Sequence, residues 1–157
     1  MAIDTKSFEM QLKAGLVEIR EQAQEVLIET GLEIFKNSIL DTPVDDGSLR
    51  ANWHFDVDKV NTDTDTSKTS NEGLKAGEEL AAKLKADGTK FEYISISNNL
   101  PYARVVEYGL YPDPPKIDSG KTENGYSKLA PEGMFRKNLL KFHSTARKNA
   151  KRIMGKK

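Results

Sequence analysis

The oxygen-bearing side chains of one polar segment have a spacing that could bind a metal ion. Asn61, Asp63, Asp65 and Glu72 occupy positions 1, 3, 5 and 12 of a loop, as calcium ligands do in an EF-hand. Thr66 stands at the sixth position, where the sharp turn of such a loop requires glycine. We therefore favour an acidic loop over a calcium site, and we predict no metal and no cofactor.

Acid–base and nucleophilic chemistry has few candidate residues. The chain contains no cysteine and only two histidines, His54 and His143, which excludes thiol catalysis and cysteine-bound metals. Asp45 and Asp46 are adjacent, so their side chains diverge, and a turn is a better use for them than a carboxylate pair. A hydrolase that uses His54 with a carboxylate is the weakest of our hypotheses. The sequence predicts no catalytic residue and no enzyme.

Charge is balanced over the whole chain but segregated along it. The 24 basic and 24 acidic residues argue against a globally basic nucleic-acid binder, and no apolar run suits a membrane span. Residues 1–40 hold seven acids and four bases, whereas the chain after Glu132 holds nine bases and no acid. The basic end indicates contact with phosphate or an acidic protein, or a solvated helix face, and both interpretations stay open. Residues 1–6 lack the apolar stretch of a secretory signal, so we expect a cytoplasmic product.

The first element predicted from the pattern is a helix from Ser7 to Leu40, because apolar residues recur there at helical spacing. A helix of this length spans about 50 Å at about 1.5 Å per residue, which is more than so small a domain covers. We therefore expect part of it to pack on another chain. Pairing of this acidic helix with the basic last helix could occur between subunits or inside one chain, and the sequence leaves both open.

The remaining pattern predicts an α+β fold with a small antiparallel sheet. Alternating apolar residues predict a strand over 49–57, with His54 on its solvent-facing polar side, and a β-branched and aromatic run predicts its partner over 91–97. A short helix after the second main strand and a C-terminal helix complete the fold beside the long N-terminal helix.

The predicted helices and connecting segments belong to a single domain over residues 1–157. Helices are predicted over 72–86, over 102–108 and from Glu132 to about Ile153. The segments without a packing pattern are a flexible polar insert over 59–73, a long loop over 110–128 and a basic tail over 154–157.

Three compact blocks rich in turn-forming and aromatic residues carry a family resemblance. They read TPVDDGSLRANW over 42–53, SNNLPYARVVEYG over 97–109 and APEGMF over 130–135. In this order they resemble the tail-completion and neck proteins of tailed bacteriophages, the lambda Z-like tail-component proteins. The chain departs from that pattern at Asp46, at Ser48 and in the polar stretch 61–71, which puts surface contacts there in question.

The resemblance implies a virion structural protein without catalytic activity that forms a ring, expected to be a hexamer, at the head–tail junction. Its partners would be copies of itself, an adjacent connector or stopper ring, and tail-terminator or tail-tube proteins, with non-specific contact to packaged DNA and none to a membrane. It would assemble in the host cytoplasm and remain in the virion. The alternatives are a tail-terminator ring and a monomeric binding module that uses its basic C-terminal helix.

Two sets of candidate contact residues follow from the blocks and the basic end. The candidate intersubunit or partner contacts are Arg50, Trp53, Arg104, Glu107, Tyr108, Tyr111 and Arg136. The candidate contacts to channel DNA or an acidic partner are Arg147, Lys148, Lys151 and Arg152. Trp53 is expected in the core, with an interface role as the alternative, and Arg104 with Glu107 fits a local helix ion pair as well as an interface anchor. The loop over 110–128 is our candidate for docking onto an adjacent ring.

Overall fold

A computed structural model of the chain describes residues 5–44, 46–68, 72–108, 122–123, 126–128 and 130–155. In chain order its elements are α1 Thr5–Asp41, α2 Ser48–Ala51, β1 Trp53–Val57, α3 Glu72–Asp87, β2 Ile94–Asn98, α4 Ala103–Glu107, β3 Thr122–Glu123, β4 Tyr126–Ser127, α5 Arg136–Leu139 and α6 Phe142–Met154. This is the α+β fold that the sequence predicts, with the long first helix, the strand pair, α3 and α4 all confirmed.

The hydrophobic core lies between the C-terminal part of α1, the β1–β2 pair and α3. Phe35 of α1 is fully buried, and its ring centroid lies 5.4 Å from that of Phe55 on β1. On α3, Ala81 and Leu84 join the same cluster, while α6 packs along another side of α1. The long helix is thus the element on which the rest of the chain is assembled.

The first strand is shorter than the sequence predicts. It pairs antiparallel with β2, with Trp53 opposite Asn98, but the residues before Trp53 form the helical turn α2 instead of a strand. Gly47 adopts a φ of 93°, which favours glycine, and the carboxylate of Asp46 accepts the backbone N–H of Ser48 at 2.8 Å. This local turn starts α2, so the predicted strand over 49–57 is wrong in its first part. The second strand likewise begins at Ile94, later than predicted.

The polar side of β1 and the residue before it do not face solvent as predicted. Asp56 on the strand is 8% exposed and Asn52 just before it is 1% exposed. Asn52 exchanges two hydrogen bonds with the backbone of Asp65, at 2.7 and 2.8 Å, so the polar insert covers it. His54 is half-buried, and its Nε2 atom is buried without a hydrogen-bond partner. The predicted surface position is therefore wrong for His54, whereas His143 is exposed as predicted.

The polar insert is tied to the sheet through its described residues, 59–68. The side chains of Ser97 and Asn99 both donate to the carbonyl oxygen of Asn61, at 2.9 and 2.7 Å, and Ser95 donates to that of Lys59. Residues 69–71 lie outside the described residues, and the flexibility of the insert stays a prediction. These hydrogen bonds hold the backbone of Lys59 and Asn61 beside β2.

The final helix begins later than predicted and is interrupted. The sequence predicts one helix from Glu132, whereas α5 begins at Arg136 and a break at Leu140 and Lys141 separates it from α6. At the break, the backbone N–H of Lys141 donates to the carbonyl of Asn138, only three residues back, which tightens the turn. Within the predicted loop over 110–128, β3 and β4 form a short antiparallel hairpin.

Candidate interaction surfaces

Glu107, at the end of α4, binds the start of the last helical region. Its carboxylate accepts the backbone N–H groups of Met134, Phe135 and Arg136, each at 2.8 Å. Gly133, just before them, has a φ of 83°, and a Cβ atom there would lie 2.6 Å from the carbonyl oxygen of Glu107. A single carboxylate therefore supplies the acceptors that the first N–H groups of a helix lack.

Arg136 completes this joint and connects it to an aromatic ring. Its Nε donates to the Glu107 carboxylate at 3.2 Å, and its Nη2 donates to the Glu107 carbonyl at 2.8 Å. The guanidinium lies 4.8 Å from the ring centroid of Tyr108, and that of Arg104 lies 6.0 Å from the same centroid. The structure thus brings four candidate contact residues together, with Arg136 rather than Arg104 as the ion-pair partner of Glu107.

Trp53 and Arg50 hold the C-terminal end of α1. The indole N–H of Trp53 donates to the Thr42 hydroxyl at 2.8 Å, and that hydroxyl donates to the carbonyl of Ser38 at 2.6 Å. Arg50 donates from Nη2 to the carbonyls of Leu40 and Thr42, which places a cation at the negative end of the helix dipole. Trp53 is 4% exposed, so its expected place in the core is confirmed.

A cleft of about 350 Å³ separates the Glu107 joint from the sheet. Trp53 and Ile96 lie on one side of it, and Tyr108, Met134 and Phe135 lie on the other. Tyr111, the remaining candidate of this set, lies outside the described residues, as does most of the loop over 110–128.

The basic last helix is partly neutralised inside the chain. Lys148 pairs with Glu33 at 2.6 Å and Arg152 pairs with Glu29 at 3.0 Å, so acidic α1 and basic α6 pack within one chain. Arg147 and Lys151 are exposed and form no ion pair with any residue that the structure describes. Two of the four cations proposed to contact DNA or an acidic partner are therefore engaged by α1.

Two carboxylates of α1 have a lowered pKa. A hydrogen bond from Lys85 at 2.6 Å, with the charge of Arg152, holds the pKa of Glu29 below its usual value. Burial raises the pKa of Asp41, but hydrogen bonds from Lys137 and Asn138 outweigh it, so the pKa is lowered. Both carboxylates join α1 to other elements as ionised groups.

The N-terminal part of α1 extends beyond the core. We name residues 5–21 the projecting segment, because every residue in it is exposed apart from Gly15, which is half-buried. Large apolar side chains that are more than half exposed occur throughout it: Phe8, Met10, Leu12, Leu16, Val17 and Ile19. At about 1.5 Å per residue the segment is about 25 Å long. It is a helix with apolar surface that none of the described residues covers.

Neither metal binding nor a membrane span has support in the part of the chain that the structure describes. Among those residues, no three or more acidic or histidine side chains are grouped as metal ligands would be. None of the described helices combines the length and the apolar character needed to cross a bilayer.

The family comparison gives this geometry a context. Residues 6–109 match a family model described as "Bacteriophage HK97-gp10, putative tail-component". The chain belongs to this family. The HK97-gp10-like match confirms the resemblance to tail components of tailed bacteriophages, and it covers α1 through α4, including the first two sequence blocks. Comparisons with curated proteins and with solved structures found no match.

Membership in the HK97-gp10-like family makes the chain a bacteriophage tail component and hence a virion protein. The match ends at residue 109, so the third block and the Arg136 half of the Glu107 joint lie beyond it. The sequence singled out both Glu107 and Arg136 but did not pair them. The only local signal for their contact was Gly133, in the block before α5.

Proposed function

We propose that the chain is a structural subunit that forms a hexameric ring at the head–tail junction of a tailed bacteriophage, where it completes the tail. In this role it catalyses no reaction, and it contacts copies of itself, the adjacent connector or stopper ring, and tail-terminator or tail-tube proteins. The observation that carries the proposal is the projecting segment in a chain of a tail-component family.

The projecting segment supports self-assembly because it is unfavourable in a lone chain. A helical segment gains little stability without tertiary contacts, because most helical stability in proteins comes from packing of an apolar face. Here the apolar side chains lie in water instead, with Leu16 59% and Met10 72% exposed. Burial by a neighbouring subunit would stabilise both the helix and the assembly.

The use of the polar candidate residues supports a structural rather than a catalytic role. Glu107 and Arg136 join α4 to α5, and Arg50 and Trp53 fix the end of α1. Each of these groups satisfies backbone or side-chain partners of its own chain. Their geometry stabilises a rigid subunit, which a ring that carries mechanical load between head and tail requires.

A monomeric module that binds nucleic acid through α6 is the second candidate. Arg147 and Lys151 are exposed and available for it, whereas Lys148 and Arg152 are already paired with glutamates of α1. Two cations that form no ion pair with a described residue give a weak electrostatic footprint, because affinity for nucleic acid grows with the number of phosphates neutralised. The pairing of Lys148 and Arg152 with α1 therefore favours the ring over the module. Contact with packaged DNA becomes a secondary interaction.

The test combines solution mass with location in the particle. Light scattering on the full chain over a range of concentrations should give a hexamer, and negative-stain images of the same sample should show six-fold rings. An affinity label on the chain in assembled phage should mark the head–tail junction. A label at the distal end of the tail would contradict the junction. A monomer at every concentration that is absent from particles, and whose nucleic-acid affinity falls steeply with salt, would establish the module instead.

A further inference from the structure

The exposed apolar residues of the projecting segment form two strips. Helical spacing of four, four and three residues aligns Phe8, Leu12, Leu16 and Ile19 in what we name the wide strip. Met10 and Val17, seven residues apart, form the narrow strip. Two residues correspond to about 200° around a helix, so Met10 lies nearly opposite Phe8, and Val17 nearly opposite Ile19.

Both strips continue packing sides that α1 uses in its own chain. Eleven residues correspond to about three turns, so Ile28 lies on the side of Val17 and Thr30 on the side of Ile19. Ile28 belongs to the hydrophobic core, and the hydroxyl of Thr30 accepts a hydrogen bond from Asn149 of α6 at 3.3 Å. The same two sides are therefore covered within the chain in one part of α1 and uncovered in the other.

By helical spacing no charged side chain lies within the wide strip, whereas the narrow strip ends at charged residues on its own side: Lys6, four residues before Met10, and Glu21, four residues after Val17. By the same spacing, Lys13 and Arg20, seven residues apart, lie on one edge between the strips, and Glu18 and Glu25, also seven apart, lie on the other. All four are exposed. Neighbours could cover both strips while these charges stay in water, which avoids the cost of burying them.

Resting on the ring proposed above, we infer that the wide strip of one copy packs against the narrow strip of the next, so that projecting segments stand side by side around the ring. A closed ring needs heterologous contacts, in which two different patches of each subunit meet different neighbours. One helix with two apolar strips on opposite sides supplies both patches. A two-fold dimer, or one helix of another protein, would cover one strip and leave the other in water.

The test uses paired substitutions in the full chain and measures mass by light scattering. Leu12→Ser with Leu16→Ser removes the wide strip, and Met10→Ser with Val17→Ser removes the narrow strip. Leu139→Ser with Leu140→Ser is the matched control, because these leucines are also exposed but lie on and beside α5. Thermal unfolding followed by Trp53 fluorescence reports whether the core is intact in each variant.

We expect the control to keep the wild-type ring and each strip variant to lose it, with a fall of about sixfold in mass. The unfolding midpoint of each strip variant should equal that of the wild-type chain diluted below the assembly concentration, because assembly itself stabilises the folded chain. A mixture of the two strip variants retains one intact wide-to-narrow contact per pair, so it should form a species of two chains. A narrow-strip variant that still forms rings would overturn the inference, as would a mixture that stays monomeric. If rings still form in the wide-strip variant and in the narrow-strip variant, the contact between the strips is refuted but the ring is not. If the wild-type chain is monomeric, the proposed ring itself is refuted.

Discussion

The two ends of α1 have the same helical pattern and opposite surroundings. In the projecting segment Phe8 is 59% exposed, whereas in the core segment, residues 28–41, Phe35 is fully buried against Phe55. The core segment packs against α3, α6 and the sheet, whereas the projecting segment is exposed, with Glu18 and Glu21 near its end lining a cleft beside the C-terminal end of α3. Apolar periodicity thus shows that a helix face is meant to be covered, but not whether its own chain covers it.

The core segment is also fixed by polar contacts with several other elements of the fold. Thr42 just after the helix accepts from Trp53, Arg50 donates to the last carbonyls, and Glu29 receives both Lys85 and Arg152. These contacts come from α2, β1, α3 and α6, so α1 is anchored at one end by most of the fold. Under the proposed ring, a neighbouring subunit would cover the other end.

The largest expected difference between the two segments is in the cost of removing a phenylalanine ring. Phe35→Ala should lower the free energy of unfolding by about 3–5 kcal/mol, because it leaves a cavity in the core. Phe8→Ala in the monomer should change it by less than about 0.5 kcal/mol, since the ring is in water. Urea denaturation below the assembly concentration measures both. Equal losses would show that the projecting segment is packed in the single chain.

Glu107→Gln tests whether the region held by polar contacts includes the joint between α4 and α5. The amide has one acceptor oxygen in place of two and carries no charge to form an ion pair with Arg136. Some of the backbone N–H groups of residues 134–136 therefore lose their acceptor. We expect a loss of about 1–3 kcal/mol in the free energy of unfolding. The control is Glu132→Gln on the exposed turn nearby, which should change little. A Glu107→Gln variant as stable as the wild type would contradict the joint.

Thr42→Val removes the hydroxyl that links Trp53 to the end of α1 while keeping the side-chain shape. The buried indole N–H loses its acceptor, which should cost about 1–2 kcal/mol. The same change at exposed Thr89 is the matched control. Trp53 fluorescence during denaturation measures the stability, and identical midpoints for the two variants would refute an anchoring role for this contact.

The smallest expected effect is the pH dependence that Glu29 and Asp41 of the core segment contribute. Glu29 and Asp41 have lowered pKa values, from the ordinary 4.5 and 3.8, so the folded state binds fewer protons than the unfolded state there. Their stabilisation is present above those ordinary values and is lost as the pH falls below them. Melting temperatures measured from about pH 6 down to pH 3 should therefore fall less in Glu29→Gln than in the wild type. A Glu29→Gln profile like that of the wild type would contradict the account.

Periodicity in the sequence was sufficient to predict the long helix, α3 and the antiparallel strand pair. Each helix and strand is marked by apolar spacing over a few residues, and each was confirmed, as was the pairing of the two strands. The errors were at positions where local signals conflict or distant contacts decide. Leu49 and Ala51 fit a strand by alternation, but Gly47 and the Asp46 cap form a helical turn there. The break between α5 and α6 lies just after Asn138, whose side-chain amide donates a hydrogen bond to the carboxylate of Asp41, 97 positions away in the chain.

The candidate contact residues could be chosen from the sequence but not assembled from it. Arg104 and Glu107 are three apart and fit a helix pair, yet the fold brings Arg136 to Glu107 from 29 positions away. In the sequence, Lys148 and Arg152 suggested a basic face without partners. Their acidic partners lie on α1, at the other end of the chain, so no local signal indicated the ion pairs. The apolar residues of the projecting segment were visible in the pattern. The excess length of the predicted first helix correctly indicated that the described part of the chain leaves some of this apolar surface uncovered.

Hydrogen exchange along α1 tests the central claim most directly. Mass spectrometry would compare amides of residues 5–21 with those of residues 28–41, in dilute monomer and in the assembled ring. The account predicts slow exchange in the core segment in both states. In the projecting segment it predicts fast exchange in the monomer and strong protection after assembly. Protection of the projecting segment that does not change on assembly would contradict it.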